Sequence, residues 1–331
     1  MSPSPEAQAH MEARRRLALA TALATFRLWR QVDHDNLYQS WRGLAGNVLG
    51  VVMGGQFAAA QMTGPWLGGL LGVDEDRPDA NGINPAAFTG VDGAGRPLAG
   101  VLMAPIWTAL RLVAQGRPIA QSMATGQSLL HAIVATAVAD AGRAADSVGM
   151  AAMPAVTGYI RVVEAGACDR CIILAGAEYR TDKAFLRHPR CHCGMEPVTR
   201  ERRPKPVSPK DLVAQMSEAQ RRKTFGEAGA KALAEGADLG QLVNARRGMQ
   251  SATVFGQKLQ ITSEGTTRRG FAARRLAAEK GFAKTAGARN GAETGKRLRS
   301  TTPRLMPEEI FRLADDRAHA VRLLRLHGYI A

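Results

Sequence analysis

Residues 156–171 read VTGYIRVVEAGACDRC, and residues 187–198 read RHPRCHCGMEPV. Valine, tyrosine and isoleucine are frequent in residues 156–163, which predicts a β-strand that runs directly into the first pair of cysteines. Residues 193–198 are the candidate for the returning partner strand. These two stretches therefore predict a small Cys-rich hairpin module at residues 151–199.

The four cysteines of the chain have metal-ligand spacing: Cys168-x2-Cys171, nineteen residues, then Cys191-x-Cys193. Zinc prefers four tetrahedral thiolate or imidazole ligands, and a closed set of four indicates a structural ion instead of a catalytic one. His188 is the reserve ligand. Two other interpretations stay open: reduced cysteines that pack a small core, and disulfide or redox chemistry.

The charge of the chain is concentrated in one region. The 331 residues carry 44 Lys and Arg against 29 Asp and Glu, a net charge of +15. Residues 200–300 hold 22 of the basic and 9 of the acidic residues, which is +13. A localised basic field favours a polyanionic partner, although a solvated basic surface gives the same composition. The candidates for non-specific contact with double-stranded DNA are Arg246, Arg247, Arg268, Arg269, Arg274 and Arg275.

Helical periodicity dominates elsewhere, so we expect a mainly α fold with a small β element. Residues 11–62 have apolar residues at helical spacing, and further helices are predicted from 105, over 119–145 and from Pro307 to Gly328. The predicted organisation is a helical domain (1–150), the Cys/His module (151–199) and a basic, mostly helical C-terminal region (200–331).

Residues 43–73 carry no charge and are long enough to cross a bilayer. They also contain Asn47, Gln56, Gln61, Pro65 and many glycines, so we interpret them as a buried or oligomer-facing helix and expect no membrane partner. Four clustered cysteines in a chain of this length do not form a secreted disulfide scaffold, which favours synthesis in a reducing cytoplasm.

The cysteine module resembles that of a viral family. The runs Glu164-Ala-Gly-Ala-Cys-Asp-Arg-Cys171, Leu174-Ala-Gly176 and Arg187-His-Pro-Arg-Cys-His-Cys193 are similar to the signature of Mu F-like minor head proteins of tailed bacteriophages. The likeness is closest to the actinobacteriophage capsid maturation protease family. Residues 236–248, 265–270 and 304–330 are also similar to that family, so the resemblance covers mainly the C-terminal half.

The resemblance implies a head morphogenesis protein at the portal or in the prohead interior, made in the host cytoplasm and carried in the virion. Its partners would be portal, scaffold and capsid proteins and packaged DNA. The alternative implied function is a capsid maturation protease that cleaves scaffold or capsid protein. A DNA-binding protein unrelated to virions is a third interpretation.

The residues do not predict a catalytic constellation. Ser128 and His131 could meet on one helix, but Asp140 lies nine residues further on, about 13 Å along the axis at about 1.5 Å per residue. Cys168 or Cys171 with His188 could form a nucleophile and base, but zinc would occupy the same atoms. Whether the chain is an enzyme is therefore left open, and no catalytic residue is assigned.

Overall fold

A computed structural model of the chain describes residues 4–72, 82–163, 166–185, 187–188, 191, 193–254, 257–264 and 304–330. Of the described residues, 62% are helical, and two small three-stranded antiparallel sheets also lie among them. This confirms the predicted fold class, mainly α with a small β element.

The chain forms two compact units. The N-terminal unit comprises Met1–Ala167 and Ala175–Val207, and the C-terminal unit comprises Cys168–Leu174 and Ser208–Ala331. The described α-helices of the N-terminal unit are α1 (Pro5–Trp29), α2 (Leu37–Gln61), α3 (Thr63–Leu71), α4 (Leu98–Val101), α5 (Ala104–Ala114) and α6 (Ile119–Ala152), and a short 3-10 helix spans Pro85–Phe88.

Side-chain hydrogen bonds to the backbone mark both the start of α1 and the turn that separates α1 from α2. Ser4 caps α1, since its hydroxyl accepts a hydrogen bond from the Ala7 backbone N–H over 3.2 Å. Within the turn, the Asp33 carboxylate accepts the Asp35 N–H over 3.0 Å. This local side-chain bond competes with helix continuation. The mostly helical interpretation of residues 11–62 therefore holds with one interruption.

Two tryptophans anchor the core of the N-terminal unit. Trp29 and Trp41 meet edge to face at 4.9 Å between ring centroids. The Trp41 indole N–H donates to the Leu102 carbonyl over 3.1 Å, which satisfies its polar atom inside the core. This cluster joins α1, α2, α4, α5 and α6, and its other members include Val48, Val52, Leu98, Ile106, Leu130 and Val134.

The predicted hairpin is present as a small sheet. Its strands are β1 (Val156–Val162), β2 (Glu178–Tyr179) and β3 (Gly194–Thr199), ordered β2-β1-β3. In the antiparallel register, Tyr159 of β1 lies opposite Tyr179 on one side and Pro197 on the other. The sheet positions the second cysteine pair, because Cys193 directly precedes β3.

The C-terminal unit contains a sheet that the sequence analysis did not anticipate. Leu259 and Ile261 are buried while Lys258 and Gln260 are exposed, which is the period of two of a half-buried strand. The described elements of this unit are α7 (Asp169–Ile172), α8 (Pro209–Gln215), α9 (Glu218–Ala234), α10 (Leu239–Ala245), β4 (Met249–Val254), β5 (Gln257–Thr262), β6 (Arg304–Leu305), α11 (Pro307–Leu313) and α12 (Arg317–Leu326).

The single helix predicted from Pro307 to Gly328 is wrong, because the structure divides it into α11 and α12. Asp316 lies at the break in an extended conformation, and its carboxylate accepts the His319 N–H over 2.6 Å. This N-cap starts a new helix instead of continuing the old one.

One described stretch, Leu37–Leu71, is long and apolar enough to cross a membrane, with a mean hydropathy of 1.3. A third of the residues in its most apolar 18-residue segment are buried within the protein. Trp41, Val48 and Val52 of this stretch belong to the tryptophan core, and a core helix of a soluble protein meets the same criterion.

Candidate metal centre

The second cysteine pair is held by a buried arginine of α6. Arg143 donates from Nη1 to the carbonyl oxygens of Cys191 (3.0 Å) and Cys193 (3.3 Å). Its Nη2 donates to the Asp140 carboxylate over 2.6 Å. Asp140 is also 3.4 Å from the Arg187 guanidinium. These bonds fix the backbone on which both thiols are carried.

A second buried arginine approaches a sulfur atom directly. Arg161 of β1 donates from Nη2 to the Cys193 Sγ atom over 3.5 Å. The guanidinium also lies over the Phe185 ring, 4.3 Å from its centroid. Arg161 and Cys193 are both almost completely buried. A positive charge in this place favours the thiolate over the thiol, and the thiolate is the form that binds metals.

The first cysteine pair belongs to a single helical turn of the C-terminal unit. Cys168 precedes α7, and its carbonyl oxygen accepts the Cys171 N–H over 3.0 Å. Asp169 of this turn accepts a hydrogen bond from the Arg246 Nη1 atom over 3.2 Å. The Sγ atoms of Cys168 and Cys171 lie within 4.8 Å of each other, which is close enough for both to bind one metal ion.

The Cys and His side chains form two groups that could hold a metal ion. One consists of Cys168, Cys171 and His188, and the other of Cys171, Cys191 and Cys193. Within each group the ligand atoms all lie within 4.8 Å of one another. Cys168 and Cys171 belong to the C-terminal unit, and His188, Cys191 and Cys193 belong to the N-terminal unit. None of the four cysteines forms a disulfide.

The predicted DNA-contact residues fall into three classes. Arg246 points into the protein, where it donates to the Phe225 carbonyl as well as to Asp169. That carbonyl is freed where α9 kinks at Gly226, whose φ is 74°. Arg247 is exposed to solvent. The other four candidates, Arg268, Arg269, Arg274 and Arg275, lie outside the described residues.

The serine and histidine considered for catalysis lie on α6. The Ser128 hydroxyl donates to the Ala124 carbonyl over 3.0 Å, a local helix bond. The His131 ring packs against Phe26 with 5.7 Å between centroids. Asp140, the distant acid, is bonded to Arg143, as described above.

A buried polar network in the N-terminal unit was missed by sequence reasoning. The Asp146 carboxylate of α6 binds the His10 Nε2 atom at 3.3 Å and Arg14 of α1. The Thr63 hydroxyl donates to Asp146 over 2.9 Å and accepts from Arg14 over 2.8 Å. His10 also stacks on Trp66 at 4.1 Å. The network could have been predicted from one signal in the sequence, which is the presence of charged residues at core-facing positions of an alanine-rich helix.

Burial and charge set the ionisation of this network. Burial raises the pKa of Asp146, but the neighbouring Arg14 and the hydrogen bond from His10 outweigh it and the net pKa is lowered. Burial lowers the pKa of His10, against the opposing effect of Asp146. At neutral pH the lowered pKa values therefore favour an ionised Asp146 and a neutral His10.

Comparisons with models of known protein families, with curated proteins and with solved structures found no match to this chain.

Proposed function

We propose that the chain is a head morphogenesis protein of a tailed bacteriophage, a minor head protein located at the portal or in the prohead interior. The observation that carries this proposal is the paired-cysteine module with its His-Pro-x-Cys-x-Cys closure, which resembles the Mu F-like signature. Its partners are portal, scaffold and capsid subunits. The helices of the N-terminal unit provide the surfaces that contact these subunits.

The module holds a structural zinc ion in this proposal. Cys168, Cys171, Cys191 and Cys193 supply four thiolates, and a closed set of four leaves no open position for a reacting water. Two thiolates bound to one zinc ion lie about 3.8 Å apart when each Zn–S bond is about 2.3 Å. Within each unit the paired sulfur atoms lie within 4.8 Å of each other, Cys168 with Cys171 and Cys191 with Cys193, which supports this assignment.

The charges around the second cysteine pair also support zinc. Four thiolates on a divalent ion leave a net charge of −2, which is costly to bury without compensation. The Arg161 hydrogen bond to Cys193 and the Arg143 bonds to the adjacent carbonyls place two guanidinium groups beside this charge. Partners of this kind orient the ligands and tune the metal.

The basic C-terminal region contacts packaged DNA without reading its sequence. The excess of +13 in residues 200–300 supports this part of the proposal, as does the exposure of Arg247. Arginine contacts to phosphate groups supply affinity that is independent of sequence and decreases as salt is raised.

Co-expression with the portal, scaffold and major capsid subunits of the same phage tests the function. We expect the full chain to copurify with portal or prohead assemblies through gel filtration. The matched control is the same chain expressed with head subunits of an unrelated phage. Failure to associate with any of the cognate subunits would refute the proposal.

One observation favours the alternative of a capsid maturation protease. The His10–Asp146 hydrogen bond is the pairing of a base with a carboxylate that orients it, and it borders a cavity that Cys191 and Cys193 also line. The same co-expression tests this function. Cleavage of scaffold or capsid protein that is abolished by His10→Gln and retained in His131→Gln would establish it, whereas intact substrates would exclude it.

A further inference from the structure

Strand β4 forms one edge of the sheet in the C-terminal unit. The strand order β4-β5-β6 places β5 on one side of β4 and, among the described residues, no strand on the other. Four of the five residues 249–253 are exposed, and Ala252 is half-buried. Met249 alone is 51% exposed. The outer side of β4 is therefore accessible to a partner.

The backbone groups of Ser251 point away from β5. Ser251 pairs with Gln260 in the antiparallel register. The Gln260 carbonyl accepts the Met306 N–H over 3.0 Å, and the Gln260 N–H donates to the Glu309 carboxylate over 3.2 Å. Both backbone groups of Gln260 are thus used on the side away from β4. Since Ser251 and Gln260 exchange no bonds, Ser251 directs its own N–H and C=O toward the open edge of the sheet.

The same direction applies to Met249 and Thr253, because residues that face the neighbouring strand alternate with residues that face away. Gly248 has the opposite phase, since its carbonyl oxygen accepts the Ser263 N–H over 3.2 Å. Three N–H and three C=O groups of β4 therefore point outward in a row. Within the described part of the chain β4 pairs with β5 alone, so these six groups have no partner in a sheet.

Strand β4 lacks the features that usually protect a sheet edge. Natural edge strands are commonly guarded by lysine, by proline or by a β-bulge. The sequence of β4 is MQSATV, and residues 248–257 form the longest run without a charged residue in the basic region 200–300. The pairs between β4 and β5 follow one continuous register. An open and uncharged edge of this kind is suited to the addition of another strand.

The strand is complementary to a second copy of itself. Antiparallel pairing about a two-fold axis at Ser251 places Ser251 opposite its own counterpart and Met249 opposite Thr253 of the second copy. Each of these residue pairs can exchange two backbone hydrogen bonds, so every outward-facing group of both strands is bonded. Because β4 carries no charged residue, the pairing brings no like charges directly opposite one another. Two-fold symmetry is also the commonest symmetry of soluble oligomers.

We propose that the chain forms a dimer through β4, in which two three-stranded sheets join into one antiparallel sheet of six strands. The dimer is weak, because a pair of short strands buries much less surface than the roughly 1,200–2,000 Å² of stable complexes. This interaction surface is additional to the function proposed above and does not depend on it.

Sedimentation equilibrium of the full-length protein, purified without chelators and freed of nucleic acid, tests the proposal. We expect monomer and dimer in exchange, with a Kd on the order of 100 µM, at the weak end of specific association. A protein that stays monomeric at about 1 mM, ten times that Kd, would overturn the proposal. An edge that accepts only the strand of a different protein would give that second result.

Charge substitutions at the two-fold axis test the register. Ser251→Lys and Ser251→Glu each place two like charges directly opposite, so each should weaken the dimer about fivefold or more. Because Ser251 is exposed, both variants should fold as the parent does, which circular dichroism checks. A mixture of the two variants should form a heterodimer at least as tight as the parent dimer, because opposite charges then meet.

The matched control is Gln260→Lys, which adds the same charge at an exposed position of β5. Its two copies would lie three strand spacings apart, about 14 Å at about 4.8 Å per spacing. Charges at this distance are largely screened at physiological ionic strength, so the dimer should be unchanged. Equal weakening by Gln260→Lys and Ser251→Lys would overturn the proposal, as would a mixture of the Ser251 variants that associates no more tightly than either variant alone.

Discussion

The Arg161 guanidinium donates a hydrogen bond to the Cys193 Sγ atom over 3.5 Å, and both side chains are buried. An arginine of a β-strand interior is costly to bury unless a negative charge compensates it. In the proposed zinc centre, a metal-bound thiolate would contribute such a charge, whereas a neutral thiol would not. The hydrogen bond therefore connects the small sheet with the proposed metal centre.

Substitution of Arg161 by methionine should weaken metal binding and leave the ligands in place. Loss of an outer-shell partner typically lowers metal affinity by about 10–100-fold. Competition with a chromophoric chelator measures this affinity. Arg180→Met is the matched control, because Arg180 is exposed and pairs with Asp182 on the surface. Equal affinities of the two variants would show that Arg161 does not stabilise a thiolate.

Substitution of Asp146 by asparagine should strongly destabilise the N-terminal unit. The change leaves the buried Arg14 charge without its counter-ion, and breaking a buried pair costs about 3–5 kcal/mol. Urea unfolding measures the loss. Asp182→Asn removes an exposed carboxylate and should cost less than about 1 kcal/mol. A similarly small effect of Asp146→Asn would contradict the network described above.

Stability should fall below pH 6.5 through His327. Burial and the nearby Arg304 lower the pKa of His327 from 6.5 to about 4, and its Nδ1 atom accepts the Leu305 N–H over 3.3 Å. The unfolded chain therefore takes up a proton at a higher pH than the folded chain, so stability decreases from pH 6.5 toward 4. At about 1.4 kcal/mol per pKa unit, the total is about 3 kcal/mol.

The measurement is the free energy of unfolding of His327→Gln and of the parent protein between pH 7.5 and 4. The variant should lack the part of the pH dependence that His327 causes, so the two curves should converge as the pH falls. His34→Gln changes an exposed histidine and serves as the control. Parallel curves for His327→Gln and the parent would refute the assignment.

DNA binding should depend on the basic C-terminal region. Changing Arg268, Arg269, Arg274 and Arg275 together to glutamine should reduce the salt dependence of duplex binding by up to about one unit of slope for each lost phosphate contact. Fluorescence anisotropy with duplexes of unrelated sequence measures both affinity and slope. The control changes four exposed arginines of the N-terminal unit, Arg27, Arg30, Arg111 and Arg117. An equal loss in both variants would indicate a general charge effect.

The elements with local signals could be predicted from the sequence. Residues 156–163 indicated β1 by composition, and the helical periodicity of residues 119–145 indicated α6, although the helix continues to Ala152. The cysteine spacing indicated two pairs of candidate ligands, and the two sulfur atoms of each pair lie close enough to bind one ion. These features depend on neighbouring residues, which is why one sequence suffices to find them.

The features that depend on distant partners could not be predicted. Arg161 and Cys193 are 32 residues apart, and His10 and Asp146 are 136 apart. No local sequence pattern predicts a contact between residues that are so far apart in the chain. The division between α11 and α12 was missed for another reason. Apolar residues at helical spacing continue across Asp316 and predicted one helix, although Asp316 is also a good N-cap residue and begins a second helix.

Native mass spectrometry of the chain purified without chelators tests the metal centre most directly. We expect one bound zinc ion per chain, retained in His188→Gln and lost in Cys171→Ser, because Cys171 belongs to both ligand groups whereas His188 is only the reserve ligand. A parent protein that folds normally without zinc, and whose stability is unchanged when all four cysteines are replaced by serine, would contradict the account.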